Sequence, residues 1–206
     1  SDAQRGRGDL TGGHGAKRPA EPVRDFPADS MDNGGMSDIL LATLNARYSH
    51  ASLGLRCLMA NLGDLRARAE IREYTIKRAP LEIVEDLLSH KPRLIGFGVY
   101  IWNIVETTRV VAILKALAPE VYIVLGGPEV SHETGEQAIV GLADYVITGP
   151  GESSFASLCR QILEGSRPDA KIITGVQGPL ADLILPYAEY SDEDIKQRVL
   201  YVEASR

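Results

Sequence analysis

The hydrophobic and polar positions of this chain form short apolar runs, each followed by a longer stretch with helical spacing. Uninterrupted apolar runs are typical of strands buried on both faces, whereas the run at 70–76 alternates as an edge strand does. Together the runs predict strands at 39–44, 70–76, 94–100, 121–125 and 145–148. Between and after them, apolar residues recur on one helical face and predict helices at about 52–62, 80–88, 105–117 and 137–142, and a last helix that follows the turn at 149–154 and ends at 163.

Regular alternation of strand and helix with short connections predicts a parallel sheet with right-handed crossovers. The polar second strand belongs at an edge of that sheet. We therefore predict an α/β fold: a doubly wound, flavodoxin-like (Rossmann-like) parallel five-stranded sheet in the order 2-1-3-4-5, with helices on both faces. Local signals agree, because Ser52 is a suitable N-cap, Pro80 suits a first helical turn, and Gly165 suits a helix stop.

The chain divides into three parts by composition. Residues 1–37 are rich in glycine and proline and poor in large apolar side chains, so we predict a flexible N-terminal tail. Residues 38–175 form the α/β domain. Residues 176–206 are interpreted as a linker followed by a strand at 198–203, the first element of a further domain that this chain lacks.

Composition excludes several classes of partner. The formal net charge of -6 and a pI near 5.3 argue against a nucleic-acid surface, because phosphate binding needs clustered lysines and arginines and no such cluster dominates. No apolar run reaches the roughly 18 residues of a membrane span, and no secretory signal opens the chain. Cys57 and Cys159 lie within predicted helices and are interpreted as buried thiols, not as a disulfide or metal ligands. We therefore expect a cytoplasmic protein without nucleic-acid or membrane partners.

Loops rich in glycine and polar residues follow four of the predicted strands. Because parallel strands end at the same edge of a sheet, these loops should converge on one crevice, where ligands of such folds bind. The turn Gly126-Gly127 after the fourth strand lacks Cβ atoms, so a ligand can approach its backbone closely. A tight turn without any ligand is the alternative.

The candidate ligand-contacting residues all lie in these loops. We predict a cofactor-binding set consisting of Asn45, Tyr48, Ser49, His50, Tyr100, Ile101, Trp102, Gly126, Gly127, Pro128, Glu129, Gly149, Gly151 and Glu152. Asn103 and Ser131 add an amide and a hydroxyl to the same crevice. Such a lining suits a large, mostly neutral ligand better than a polyphosphate. The helix start at 151–154 could still hold one phosphate.

Signals for nucleotide binding and for catalysis are weak. The sequence has no Walker lysine motif and no G-x-G-x-x-G after the first strand. His50 and His132 lie in the loops, but no nucleophile, base or metal cluster accompanies them at a recognisable spacing. We therefore predict no catalytic and no metal-ligating residue in this chain.

Several stretches together resemble a known family, the cobalamin-binding domain at the N-terminus of radical S-adenosylmethionine enzymes. The resemblance covers about residues 37–206 and rests on four segments in order: Asn-Ala-Arg-Tyr-Ser-His-Ala-Ser at 45–52, Leu-Gly-Gly-Pro-Glu-Val at 125–130, Asp-Tyr-Val-Ile-Thr-Gly-Pro-Gly-Glu at 144–152, and Tyr-Val-Glu-Ala-Ser-Arg at 201–206. In that family the last segment leads into three cysteines that hold a four-iron four-sulfur cluster. The resemblance thus implies that S-adenosylmethionine and the cluster belong to a catalytic domain missing here.

The resemblance also implies a place for the cofactor. Gly126 and Gly127 would line the nucleotide tail of cobalamin, while 99–102 and 149–152 would flank it. Related domains ligate cobalt through the histidine of D-x-H-x-x-G, but residues 48–53 lack the aspartate and the glycine of that pattern. Without the aspartate to fix its tautomer, we do not predict His50 as the lower cobalt ligand. A Gly127→Leu substitution is expected to block the crevice and leave the fold largely intact.

The sequence thus favours binding of cobalamin as the cofactor domain of a radical S-adenosylmethionine enzyme, with methyl transfer as the reaction considered. Its expected partners are cobalamin and the radical S-adenosylmethionine catalytic domain of the same full-length chain, and the fragment alone would bind without catalysing. One alternative is a non-catalytic docking or regulatory domain that kept the fold and lost the cofactor. A phosphoacceptor receiver domain shares the strand order, but it needs an aspartate at the end of the third strand, where 99–101 has none.

Overall fold

The structure is a computed structural model that describes residues 37–48, 50–132 and 134–203. The predicted tail lies outside the described residues except for Ser37, as does the candidate residue Ser49. The strands are β1 (Ile39–Asn45), β2 (Ala69–Thr75), β3 (Leu94–Gly98), β4 (Tyr122–Gly126), β5 (Tyr145–Thr148) and β6 (Ile172–Thr174). The α-helices are α1 (Leu53–Ala60), α2 (Pro80–Ser89), α3 (Ile104–Leu117), α4 (Ala138–Leu142), α5 (Glu152–Leu163) and α6 (Asp192–Gln197).

The strands form one parallel sheet in the order β2-β1-β3-β4-β5-β6, which confirms the predicted fold class. The sequence indicated five strands, and the described residues contain a sixth. β6 has only three residues, of which Ile172 is 43% exposed, so its apolar pattern is too short to distinguish it from a loop. Its pairing with β5, from Val146–Ile172 to Thr148–Thr174, defines it as a strand.

A hydrophobic core lies on each face of the sheet, because successive strand residues point to opposite sides. One core joins Leu40 and Ile95 to α2, α3 and α4 through Ile83, Val110 and Val140. The other joins Leu41 and Val124 to α1 and α5 through residues that include Leu55, Met59, Phe155, Cys159 and Ile162. The glycine-rich loops lie beyond the carboxyl ends of the strands between these two layers.

The predicted local signals are present. Ser52 caps α1 by accepting a hydrogen bond from the backbone N–H of Leu55 at 3.4 Å, Pro80 begins α2, and Gly165 follows α5 with φ at 85°. Both cysteines are buried, as predicted, and burial raises the pKa of Cys159 to about 12. In the described part of the chain no helix is both long enough and apolar enough to cross a bilayer.

The segment after β6 differs from the interpretation as a linker and a strand. Residues 192–197 form α6, whose N-terminus has a capping box: Asp194 N–H donates to the Ser191 hydroxyl, and Ser191 N–H donates to the Asp194 carboxylate. The expected strand at 198–203 is reduced to one parallel bridge between Val199 and His50. Val199, Tyr201 and Val202 are 51%, 45% and 73% exposed, so little apolar burial supports a longer strand.

Candidate cofactor-binding site

The carboxyl ends of β1, β3, β4 and β5 meet at one edge of the sheet, because all these strands are parallel. The loops that follow them therefore line the same edge, as the sequence predicted. Gly98 and Gly126, the last residues of β3 and β4, are partners in the strand register. The two strands therefore end side by side in residues that have no side chain.

Four glycines lie at this edge, at the ends of β3 and β4 and at the starts of α1 and α5, and we call them the glycine slot: Gly54, Gly98, Gly126 and Gly151. A Cβ on Gly98 would lie 3.5 Å from the Tyr100 ring and 3.6 Å from Leu55 of α1, and one on Gly151 would lie 3.4 Å from Leu58. A Cβ on Gly126 would meet only the carbonyl oxygen of Ile147, at 3.8 Å. The backbone at Gly126 is therefore the most open to a ligand, whereas side chains of the domain already lie beside Gly98 and Gly151.

Tyr100 occupies part of the glycine slot. A Cβ on Gly54 would lie 3.1 Å from the Tyr100 hydroxyl, so this ring lies between Gly54 and Gly98. Burial raises the pKa of the Tyr100 hydroxyl, and a hydrogen bond with Ser52 partly offsets that effect. Sequence reasoning missed Gly54 and Gly98, although a glycine inside a helix or at the end of a strand is a known sign of close approach.

Gly127 has a different role from its neighbour. Its φ of 113° and ψ of 170° lie in a region that is open essentially to glycine alone, and a Cβ there would lie 2.4 Å from the carbonyl oxygen of Val99. The side chain of Gly127→Leu would therefore run into the backbone after β3 and not into the crevice. The expectation that this side chain projects into the crevice is wrong, and we predict instead that the substitution disturbs the turn and with it the fold.

An aromatic and apolar shelf follows β3. The rings of Tyr100 and Trp102 stack with centroids 4.6 Å apart and an angle of 7° between their planes. Ile101 is 75% exposed and Trp102 is 51% exposed. These residues offer an apolar surface beside the glycine slot, at the edge where the sequence placed them.

Asn103 does not face the crevice. Its side chain is fully buried, its Nδ2 donates to the carbonyl oxygens of Leu44 and Gly98 at 3.1 Å each, and its Oδ1 accepts from the Tyr100 N–H at 2.8 Å. Asn103 thus fastens the end of β1 to the end of β3. The prediction that it adds an amide to the ligand surface is wrong, because these backbone partners occupy the amide.

The loops after β4 and β5 are joined by Ser131. Its hydroxyl donates to the Gly127 carbonyl oxygen at 2.8 Å and accepts from the Gly149 N–H at 3.3 Å. Pro128 and Gly149 are exposed, and Glu129 is partly buried, with its carbonyl oxygen bonded to Gln137 at 2.7 Å. These residues stay at the predicted edge, and Ser131 acts there as a brace between two loops.

The start of α5 is covered by the segment after β6. Gly151 and the buried Glu152 begin the helix. The Ser153 hydroxyl donates to the Val176 carbonyl oxygen at 3.2 Å, and the Ser154 hydroxyl accepts from the Val176 N–H at 3.3 Å. Contacts within the chain therefore occupy the hydroxyls of Ser153 and Ser154, at the helix start that the sequence analysis considered for a phosphate.

The loop between β1 and α1 is turned towards the C-terminal segment. Asn45 Nδ2 donates to the carbonyl oxygen of His50 at 2.9 Å and to Glu73 at 3.1 Å. Arg198 Nε donates to the carbonyl oxygen of Tyr48 at 3.1 Å, and the Tyr201 hydroxyl lies 2.6 Å from His50 Nδ1. His50 thus has a side-chain partner that its local sequence does not supply. These contacts hold the loop in place at one side of the site.

A charged cluster lies beneath this loop, formed by Arg56, Glu73, Asp194 and Arg198. Arg56 contacts Glu73 at 3.0 Å and Asp194 at 2.8 Å, and Arg198 contacts the same two carboxylates at 2.7 and 2.9 Å. Each of the four side chains is at most 10% exposed. Arg56 and Asp194 are 138 residues apart in sequence, so sequence reasoning could not pair them.

The two carboxylates of the charged cluster should make folding stability depend on acid pH. Burial by itself would raise the pKa of Glu73 and of Asp194, but the two arginines outweigh it and lower both pKa values. A lowered pKa contributes stability above the ordinary values of 4.5 and 3.8, and that stability is lost as the pH falls below them. We expect the free energy of unfolding in urea to be flat above about pH 5 and to fall below it.

Glu73→Gln is the control for that prediction, because the variant no longer has the first of the two titrating groups. Its free energy of unfolding should fall less steeply between pH 5 and pH 3 than that of the unmodified protein, because position 73 no longer binds a proton in that range. Two parallel pH profiles would show that Glu73 does not contribute.

The described residues contain no group of three or more histidine, cysteine, aspartate or glutamate side chains that could hold a metal ion. The site therefore consists of a glycine slot, an apolar shelf and a framed loop. It can bind and orient a large ligand through backbone and apolar surface.

Comparison with known proteins gives fold and family. A search of the curated proteins found no match. Among solved structures, the radical S-adenosylmethionine methyltransferase TsrM from Kitasatospora setae, with cobalamin and a 4Fe-4S cluster bound, has a TM-score of 0.52 and 21% identity and is matched over 64% of this chain and 26% of that one. The same methyltransferase with tryptophan substrate and the analog aza-SAM gives a TM-score of 0.50 and 19% identity, with 63% and 26% covered.

A cobalamin-binding protein from Desulfitobacterium hafniense DCB-2 gives a TM-score of 0.44 and 21% identity, over 60% of this chain and 57% of that one. The chain spans about a quarter of the length of the methyltransferase chains, and identities at this level show the fold alone. The sequence model of the B12 binding domain matches residues 39–159, more than half of the chain, from the start of β1 into α5. The chain therefore belongs to the B12 binding domain family.

Proposed function

We propose that this chain binds cobalamin at the carboxyl edge of its sheet, as the cofactor-binding domain of a radical S-adenosylmethionine enzyme. The observation that carries the proposal is the glycine slot, which lies in a member of the B12 binding domain family at the edge where ligands of doubly wound folds bind. Gly54, Gly98, Gly126 and Gly151 would hold the nucleotide tail. The exposed Ile101 and Trp102 would support the corrin ring.

The residues present fit this cofactor. Cobalamin is large and carries many amides, and the slot presents backbone and apolar surface where an added Cβ would intrude. Bound cobalamin supplies cobalt chemistry, whereas the residues of this chain bind the cofactor, orient it and exclude water from its tail. Asn45, Tyr48 and His50 shape the loop at one side, and Pro128, Glu129, Gly149 and Glu152 form the opposite side.

The parent enzyme is the finer part of the proposal. The similarity in fold to a radical S-adenosylmethionine methyltransferase, of which this chain spans 26%, supports a catalytic domain elsewhere in the full-length protein. That domain would bind S-adenosylmethionine and the four-iron four-sulfur cluster, and it would be the partner of this one. The gene sequence beyond the codon for Arg206 tests this directly, because three closely spaced cysteine codons are expected there and their absence would contradict it.

The alternative is a docking or regulatory domain of the same fold without the cofactor. One observation favours it: the Tyr100 ring fills the space between Gly54 and Gly98. Cobalamin binding would require this ring to move or to act as one wall of the slot. A binding measurement separates the two functions.

Gly126→Leu should weaken the retention of cobalamin. The variant places a side chain in the slot at a position with ordinary backbone angles and no close neighbour, so binding should weaken about tenfold or more while the fold remains. The measurement is corrinoid absorbance that co-elutes with protein in gel filtration after incubation with hydroxocobalamin. The longest available form of the protein is the proper sample.

Gly141→Leu is the matched control, since Gly141 lies in α4 with nothing within 4 Å of its would-be Cβ. This variant should retain corrinoid as the unmodified protein does, and circular dichroism should show that all three proteins are folded. A folded unmodified protein that retains no corrinoid would favour the docking function. Equal retention by Gly126→Leu would contradict the placement of the tail in the glycine slot.

A further inference from the structure

We infer that Arg198 is a positioning residue of the cofactor site, through which the C-terminal strap, residues 191–203, sets the conformation of the loop between β1 and α1. Seating of the strap and binding of a corrinoid are therefore linked. The inference deepens the proposed function and rests on it for the ligand. The contacts between the strap and the loop are observed in the structure and do not depend on the proposed function.

Arg198 uses every nitrogen of its guanidinium in this contact. Nε donates to the carbonyl oxygen of Tyr48 at 3.1 Å, Nη2 donates to that of His50 at 2.6 Å, and Nη1 donates to Glu73 at 2.7 Å and to Asp194 at 2.9 Å. The guanidinium carbon also lies 5.0 Å from the centre of the Tyr48 ring. A rigid, planar fork of donors can hold two loop carbonyls and two carboxylates at once, which the single ammonium of a lysine cannot do.

Other contacts between strap and loop reinforce Arg198. Val199 forms a parallel bridge with His50, and its carbonyl oxygen accepts from the Ala51 N–H at 3.4 Å. The Tyr201 hydroxyl contacts His50 Nδ1 at 2.6 Å, and the two rings stack with centroids 5.8 Å apart. The loop that borders the proposed site is thus held by residues about 150 positions later in the chain.

The strap is held mainly by polar contacts. Val199, Tyr201 and Val202 remain about half or more exposed, so apolar burial contributes little to holding the strap against the domain. Asp194 instead accepts from Arg56 at 2.8 Å while its carboxylate completes the cap of α6. Loss of the Arg198 contacts should therefore release the loop without unfolding either core.

A linkage between strap and ligand must act in both directions. If a seated strap favours the loop conformation that binds corrinoid, bound corrinoid favours the seated strap by the same factor. Corrinoid should therefore slow hydrogen exchange of the backbone amides of 192–201 in the unmodified protein. It should also slow exchange in 46–52.

Arg198→Lys is the decisive variant, because it keeps the positive charge beside Glu73 and Asp194 and removes the fork that holds the loop carbonyls. We expect hydrogen exchange of the amides of 46–52 to rise roughly tenfold and hydroxocobalamin to dissociate roughly tenfold faster, as for the loss of charge-assisted hydrogen bonds. Tyr201→Phe should produce a smaller change of the same sign. A role limited to charge compensation would leave both quantities unchanged.

Arg66→Gln is the control, since Arg66 also ties the C-terminal region to the body of the domain, by two contacts of 2.9 Å with Glu189, but does not contact the loop. It should change neither the exchange of 46–52 nor the dissociation rate. Unaltered loop exchange in Arg198→Lys would overturn the inference. If the unmodified protein retains no corrinoid, the proposed function fails, and the exchange of 46–52 alone then decides whether Arg198 positions the loop.

Discussion

Gly127→Ala should destabilise the domain by about 3 kcal/mol or more, and Gly127→Leu should prevent folding. The alanine Cβ would lie 2.4 Å from the Val99 carbonyl oxygen and 3.0 Å from its nitrogen, both of them backbone atoms that cannot move aside as a side chain can. The backbone angles at Gly127 add strain that a side chain cannot avoid. Val99 in turn donates its N–H to the Gly126 carbonyl oxygen at 2.8 Å, so any shift of Val99 would break the bond that joins the two loops.

The free energy of unfolding in urea measures this effect, and Gly126→Ala is the neighbouring control. Gly126 has ordinary angles, and the nearest atom to its would-be Cβ is 3.8 Å away, so alanine there should change stability by less than about 1 kcal/mol. If Gly127→Ala were as stable as Gly126→Ala, the turn would not have the close approach that we describe. The pair therefore separates a glycine required by the turn from a glycine that leaves space for a ligand.

Most of the fold could be predicted from the sequence, because strands buried on both faces are continuous apolar runs and the helices between them keep one apolar face. All five predicted strands agree with the structure to within two residues at each end, from 39–44 for β1 to 145–148 for β5. β6 and α6 could not be predicted in the same way. Ile172 in β6 is 43% exposed, and α6 depends on a capping box between Ser191 and Asp194 within a stretch that otherwise looks like an acidic linker.

The edge of the sheet that bears the site could also be predicted, since it follows from the shared direction of the strands. The roles of individual residues could not. Gly126 and Gly127 are adjacent and identical in sequence, yet only the dihedral angles and the position of Val99 show that one borders the slot and the other is fixed by the turn. His50 obtains its partner Tyr201 from 151 residues away, and such a distance carries no periodic or local signal.

Glu73→Gln should cost about 3 kcal/mol of folding stability, although it removes no volume. The Glu73 carboxylate accepts hydrogen bonds from Arg56, Arg198, Asn45 Nδ2 and the Ser52 N–H, at distances between 2.7 and 3.1 Å, and its side chain is 9% exposed. A neutral amide leaves the guanidinium groups of Arg56 and Arg198 with Asp194 as the one carboxylate of the charged cluster. Breaking one partner of a buried ion pair costs more than the intact pair contributes, because the remaining charge loses its compensation in a place that water does not reach.

Glu189→Gln is a closely matched control for the Glu73 variant, because the Glu189 side chain is also 9% exposed and the substitution is the same. Its partner Arg66 is 53% exposed and remains hydrated when the carboxylate is lost, so we expect a change within about 1 kcal/mol in urea unfolding. Because the two carboxylates are equally exposed, the difference in lost unfolding free energy between the two variants reports the effect of the two buried arginines that contact Glu73. Equal losses in both would mean that burial of the carboxylate sets the cost, and the charged cluster would no longer explain how the C-terminal strap is held against the loop between β1 and α1.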